Sequence, residues 1–183
     1  MRVISGSAKG VQLQAVPGSG TRPITDRVKE AVFNILGNTI LDSQVLDLFA
    51  GTGGVGIEAL SRGAGQVTFV EKHPKAVATI RTNLRRTALG SGARVLKADV
   101  FKFLASTPQP FDLIYVAPPQ YQALWSKTLL ALDAKPGWLA PDGLIIVQIF
   151  PKEFEPLSLA SVQLTEQRKY GSTLLCFYEM LPQ

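Results

Sequence analysis

Val45-Leu46-Asp47-Leu48-Phe49-Ala50-Gly51-Thr52-Gly53-Gly54-Val55-Gly56-Ile57-Glu58-Ala59-Leu60 reads as a short apolar strand that turns through glycines into a helix. Glycines let a backbone turn tightly and approach a ligand, and a helix starting near Gly54 offers unpaired N–H groups to it. Gly51, Gly53 and Gly56 satisfy G-x-G-x-x-G. Glu71 closes the next apolar run, Val67-Thr68-Phe69-Val70, about twenty residues past the first glycine, where a ribose-binding acid belongs. Taken alone, that spacing describes a dinucleotide site. Two features have no job in one: Asp47, inside the strand that leads into the loop, and Pro118-Pro119, after a later apolar run from Phe111 to Val116.

Outward from this loop the chain alternates. Strands are predicted at 44–48, 66–71, 94–97, 111–116 and 143–150, with helices at 54–61, 74–87, 100–104 and 121–132 between them. That order predicts an α/β fold with a parallel sheet wrapped by helices. Segments 162–167 and 173–178, joined through Lys169-Tyr170-Gly171, read as a terminal hairpin carrying an antiparallel edge strand. Upstream, 2–5 and 11–16 flank Ser7-Ala8-Lys9-Gly10 and read as a small β-hairpin. Thr25 is placed to cap a helix whose apolar positions Val28, Ala31, Val32, Ile35 and Leu36 recur at helical spacing, with Gly37 as its stop. Residues 1–40 are thus a hairpin-and-helix extension, and 41–183 carry the sheet.

Composition narrows the function. At 183 residues and 46% hydrophobic, the chain suits one domain with a full core, which makes a monomer the default. No apolar run is long enough to cross a bilayer, and the N-terminus lacks the apolar stretch of a signal peptide, so a cytoplasmic protein is expected. Cys176 and His73 are the only residues of their kinds. An internal disulfide and a cysteine-cluster zinc site are thereby excluded, and neither a Ser-His or Cys-His triad nor a metal site is expected. The net charge of +5 is concentrated in residues 61–105, where nine Lys or Arg face two acids. A surface for a polyanion and a set of solvated helix faces both account for that charge, and Arg81, Arg85 and Arg86 on one side of a helix suit either.

The acid before a glycine loop, joined to a later Pro-Pro-aromatic segment, is the pattern of S-adenosylmethionine methyltransferases. Thr21-Arg22-Pro23-Ile24-Thr25-Asp26-Arg27 leading to Phe33-Asn34-Ile35-Leu36, with the 45–53 loop and Glu58-Ala59-Leu60-Ser61-Arg62-Gly63, resembles the bacterial 16S ribosomal RNA (guanine-N2)-methyltransferase family of RsmD type. The resemblance implies a class I, Rossmann-like seven-stranded sheet, S-adenosylmethionine as cofactor and small-subunit ribosomal RNA, or an assembling small subunit, as partner. It also implies that Asp47, Phe49, Ala50, Gly51, Gly53, Glu71, Lys72, Asp99 and Val100 hold the cofactor. Asp47 can attract its ammonium, Glu71 can accept both ribose hydroxyls, and Asp99 corresponds to the acid that contacts the adenine amine. Either Asp47 or Asp99 taken singly could be a helix cap. Arg2, Lys9, Arg22, Arg27 and Lys29 are assigned to RNA, the alternative being that Asp26 and Arg27 only tie the extension to the core.

The catalytic segment departs from the family. Relatives of this type carry Asp-Pro-Pro followed by Tyr or Phe, whereas this chain has Ala117-Pro118-Pro119-Gln120-Tyr121. The exocyclic amine of guanine is a poor nucleophile because its lone pair is delocalised into the ring. The family's acid and a proline carbonyl orient that amine while the aromatic ring stacks on the flipped base. Losing one preorganised polar group costs about 3 kcal/mol in kcat. Either Ala117, Pro118, Pro119 and Tyr121 still make an acceptor site, or the protein binds cofactor and RNA as a weakened or inactive assembly factor. A nicotinamide dehydrogenase would leave Asp47, Asp99 and the prolines unexplained, and the fold alone would also serve DNA or protein substrates.

Overall fold

A computed structural model describes residues 1–18 and 23–183. Among these, seven strands make one sheet: β1 (Gln44–Leu48), β2 (Gln66–Glu71), β3 (Ala93–Lys97), β4 (Phe111–Val116), β5 (Leu139–Ile149), β6 (Val162–Tyr170) and β7 (Thr173–Met180). Their order is β3-β2-β1-β4-β5-β7-β6. β1 to β5 pair in parallel, and β7 runs antiparallel between β5 and β6, so the terminal hairpin closes the sheet as the sequence predicts. The helices are α1 (Asp26–Leu36), α2 (Gly54–Ser61), α3 (Pro74–Thr87), α4 (Val100–Leu104) and α5 (Leu124–Ala134). From β1 the chain steps outward to β2 and β3, then returns to lay β4 on the other side of β1. That reversal opens a crevice beyond the carboxyl ends of β1 and β4, where ligands of open parallel sheets bind.

Successive strand residues point to opposite faces, and here both faces are covered, which is why the strands read as nearly continuous apolar runs. Val45, Val67, Phe69, Leu113, Tyr115, Ile146 and Phe177 pack against residues of α1, α2 and α3. Leu46, Leu48, Val70, Ile114, Val116, Ile145 and Val147 face residues of α4 and α5 and Trp138. Val3, Ala8 and Leu13 join the first layer, so residues 1–40 share a core with the sheet.

Thr25 caps α1 as expected, its hydroxyl accepting from Val28 N–H, and Gly37 ends the helix at φ 52°. The N-terminal hairpin has one true bridge, Arg2 with Gln12. Neighbouring helices take up much of its backbone: Glu58 accepts from Ile4 and Ser5, Ser61 from Ser7 and Ala8, and Asn83 from Gln14. Several boundaries move, notably the starts of α5 and β5. α5 begins at Leu124 and not at 121, because Tyr121 and Ala123 hold positive φ (59° and 53°), which breaks helical continuity. β5 begins at Leu139, ahead of the expected 143, through an irregular register opposite Phe111 and Leu113.

Candidate functional site

The glycine loop takes its shape from backbone demands. Phe49, Gly51 and Gly53 all lie at positive φ, which turns the chain sharply out of β1. Gly53, at φ 80°, sits at the start of α2, where a side chain would be strained. Gly56 is needed for closeness: a Cβ there would lie 2.3 Å from the Phe69 ring, so only glycine lets α2 lie down on β2. Ala50 N–H bonds Val70 carbonyl at 3.2 Å, which fixes the loop across the two strand ends.

Three acids surround this loop. Asp47 is buried on the α2 face of β1 and accepts from Gly56 N–H at 3.1 Å. Burial pushes its carboxyl up to about 8; the Gly56 bond opposes that shift, and the neighbouring Glu71 charge adds to it. Glu71, also buried, accepts from Gly51 N–H at 2.9 Å through one oxygen and from His73 N–H at 3.0 Å through the other. Each of those oxygens keeps a lone pair for a further donor. Asp99 caps α4, one oxygen accepting from Phe101 and Lys102 N–H. The cap reading of Asp99 is therefore correct as geometry, and its half-exposed position beyond β3 leaves the carboxylate at the crevice. Val100 is buried behind it, Phe49 meets Phe101 edge-on at 6.5 Å, and Lys72 is exposed beside Glu71. Asp47 and Glu71 thus flank the glycine loop, with Asp99 one strand further along the same sheet edge.

Across the switch point, Ala117, Pro118 and Pro119 leave β4 half-buried, and Ala117 packs on the Asp47 face of the sheet. The register pairing Val116 with Val147 carries Ala117 alongside Gln148 of β5. Gln148 Oε1 accepts from the hydroxyl of Tyr115, a buried side chain on the strand position opposite Asp47. Burial first, and then the Asp47 charge, hold that phenol protonated well above its ordinary range. Tyr121 is 66% exposed, its ring stacked on Phe150 with centroids 5.4 Å apart and planes at 18°. Its N–H bonds Glu153 Oε1 at 2.7 Å. The sequence reading missed Gln148, Phe150 and Glu153. They lie about thirty residues from the prolines and reach them only through strand pairing, so no local pattern marks them.

The assignment of Lys29 to RNA is wrong. Its side chain is fully buried, with Nζ 2.6 Å from the Arg2 carbonyl and 3.8 Å from Glu58, and burial lowers its pKa. Glu58 also accepts from Arg62, Ile4 and Ser5, so this buried cluster ties the extension to α1 and α2. Spacing could have revealed it, since 29, 33 and 36 fall on the same stripe as Phe33 and Leu36. Arg2 is exposed 3.3 Å from Asp26, Arg27 is exposed over the Tyr170 ring at 5.8 Å, and Lys9 is exposed. Arg22 lies outside the described residues.

A doubly wound sheet with its glycine loop at the switch point and acids beyond successive strands defines the class I methyltransferase architecture. The chain belongs to the family described as Conserved hypothetical protein 95, whose model matches residues 1–179, and with it to the relatives named ribosomal RNA small subunit methyltransferase D. It is 35% identical to the Escherichia coli protein of that name, over 98% of this chain and 89% of that one, and 40% identical to YlbH of Bacillus subtilis over 98% of both. The solved structure of Escherichia coli yhhF superposes with a TM-score of 0.88 at 34% identity, covering 100% of this chain and 99% of that one. An RNA methyltransferase from Salinibacter ruber, in complex with S-adenosyl-L-homocysteine, shares the fold with a TM-score of 0.67 at 14% identity, over 88% and 95% of the two chains.

Proposed function

We propose that this chain transfers a methyl group from S-adenosylmethionine to the exocyclic N2 amine of a guanine in small-subunit ribosomal RNA. The observation that carries the reading is the placement of Asp47: a buried carboxyl beside the glycine loop that accepts from Gly56 N–H and makes no ion pair among the described residues, so that burial raises its pKa and leaves it in need of a cation. The ammonium of the cofactor meets that need, and Glu71 has lone pairs to spare for ribose hydroxyls. We assign Asp99 and Val100 to the adenine edge and face, from their half-exposed and buried positions after β3. The cofactor supplies one thing, a methyl group on a sulfonium.

The protein's own part is orientation. Carbonyls of Ala117 and Pro118, stiffened by the adjacent prolines, accept from the guanine amine and turn its lone pair toward the methyl group. As the N–C bond forms, the methyl–sulfur bond of the cofactor would break with its electron pair left on sulfur as a neutral thioether, and the amine gives up a proton to solvent, so no histidine is required. Arg2, Lys9 and Arg27 contribute phosphate contacts from the extension, and Arg81 and Arg85 line an open depression of about 590 Å³ beside β3 that adds positive surface. No described helix is long and apolar enough to cross a membrane. A cytoplasmic monomer acting on ribosomal particles fits these features.

The test is methyl transfer to small subunits, assembly intermediates and naked RNA from cells lacking the endogenous enzyme, followed by nucleoside analysis. N2-methylguanosine on any of the three is the expected product. Tight cofactor binding with no transfer on any of them would favour the second reading, a ribosome-assembly protein, which rests on the missing acid at Ala117.

A further inference from the structure

The loop after the prolines is held from outside. Glu153, in the single 3₁₀ turn Pro151–Glu153 that follows β5, uses its carboxylate twice: Oε1 accepts from Tyr121 N–H at 2.7 Å and Oε2 from Phe150 N–H at 2.9 Å. One side chain thereby sets the distance between the β4 loop and the end of β5. Tyr121 sits at φ 59°, a conformation an L-residue adopts only where its surroundings impose it. The result is a tyrosine ring with its inner face covered by Phe150 and two-thirds of the residue open to solvent beside the prolines. An exposed, backed aromatic face suits an unstacked nucleobase, because every base has a π face and stacking on a fixed ring loses little freedom.

We propose that Phe150 and Glu153 are positioning residues for the RNA substrate: together they hold Tyr121 as a stacking platform for the acceptor base, supplying from the segment after β5 what the β4 motif lacks at Gln120. This rests on the RNA-methylating reading above. Phe150 works through the Tyr121 ring, and Glu153 works through the two backbone N–H groups. Neither residue borders the glycine loop, so cofactor binding is independent of both.

Methyl transfer to undermethylated small subunits tests this with Phe150→Leu, Phe150→Tyr and Glu153→Ala, each checked by cofactor calorimetry and thermal unfolding. Phe150→Leu is expected to lower kcat about fivefold, in the range of one aromatic pair, with cofactor affinity unchanged, while Phe150→Tyr keeps the wild-type rate. Glu153→Ala should lower kcat further, since two donors lose their acceptor. In a Tyr121→Ala background, Phe150→Leu should add nothing, because its effect passes through the missing ring. A Phe150→Leu rate within twofold of wild type, or full additivity with Tyr121→Ala, overturns the proposal. A p-benzoylphenylalanine placed at 121 gives a readout that needs no catalysis: its crosslink to the small subunit should weaken in Phe150→Leu. If the protein labelled at 121 crosslinks in this Phe150-dependent way and wild-type protein does not methylate, the enzymatic reading fails and the platform stands. If it methylates and the crosslink ignores Phe150, the platform fails alone.

Discussion

The two halves of the crevice are built on different principles. Beyond β1, β2 and β3, the acids are engaged by the backbone they organise: Asp47 with Gly56, Glu71 with Gly51 and His73, Asp99 with Phe101 and Lys102. Beyond β4 and β5, the chain makes a bare Ala-Pro-Pro turn and a strained loop, shaped by Phe150 and Glu153 just past the end of β5. The cofactor half is thus specified within one stretch from β1 to α4, by contacts between residues no more than 20 positions apart. The acceptor half is specified by tertiary pairing, and it is free to vary in sequence so long as the pairing delivers equivalent groups.

The largest expected effect breaks the cofactor half without breaking the fold. Asp47→Asn keeps an acceptor for Gly56 N–H but removes the charge proposed to meet the ammonium. Cofactor affinity should fall by about two orders of magnitude in calorimetry, as for loss of one partner of a buried charge pair. Stability at pH 7 should hold or rise, because the wild-type carboxyl must take up a proton to be buried there. A variant that unfolds earlier than wild type would show that Asp47 is structural first.

The next effect is in pH, and its sign follows from the same group. The folded value of Asp47, about 8, is raised above the unfolded carboxylate value. Its contribution to apo stability is therefore fully present below about pH 4 and is lost as pH rises through about 8. Cofactor binding runs the other way. Below pH 8 the site must shed a proton to pair with the ammonium, so affinity should rise about tenfold between pH 6 and pH 7, with close to one proton released. Calorimetry at pH 6.5 in buffers of different ionisation enthalpy reads that proton, and Asp47→Asn should abolish its release.

A smaller effect separates the crevice from the basic extension. Arg27→Ala should weaken small-subunit binding a few-fold and reduce the salt slope by about one, while leaving cofactor affinity untouched. Arg27 already leans on Tyr170, so a change in thermal stability with an unaltered salt slope would return it to a structural role.

What could be read from sequence follows the same division. The strands from Gln44 to Val116, the helices between them and the three acids were legible, because buried parallel strands are continuous apolar runs and each acid stands at a strand end. The start of α5 is not, since nothing local in Tyr121-Gln122-Ala123 announces two positive φ angles, one of them at a residue whose N–H bonds Glu153 about thirty residues away. Charge alone is misleading at Lys29: its position on the buried stripe with Phe33 and Leu36 outweighs its being a cation, once Glu58 is there to receive it. Gln148 beside Ala117 could not be found by motif at all, as the neighbours belong to different strands.

The smallest expected effect is also the sharpest test of the contrast. Ala117→Asp restores the acid that the family's motif carries, and if this chain were simply a weakened enzyme the substitution should raise kcat by orders of magnitude, the worth of a preorganised polar group. The surroundings argue otherwise. Ala117 packs on the face that carries Asp47 and Tyr115, and the adjoining position on β5 already holds Gln148, tied to the Tyr115 hydroxyl. A second carboxylate on this face would disfavour ionisation of Asp47 still further, since like charges in a shared low-dielectric site cannot both form cheaply. The expected result is therefore a change in kcat of less than about threefold, together with weaker cofactor binding at neutral pH. Gln148→Leu, which removes a polar group from beside the alanine, should lower kcat more than Ala117→Asp raises it. A hundredfold gain from Ala117→Asp, with cofactor affinity intact, would show that the end of β5 has replaced nothing and that the acceptor half is missing a part it still has room for.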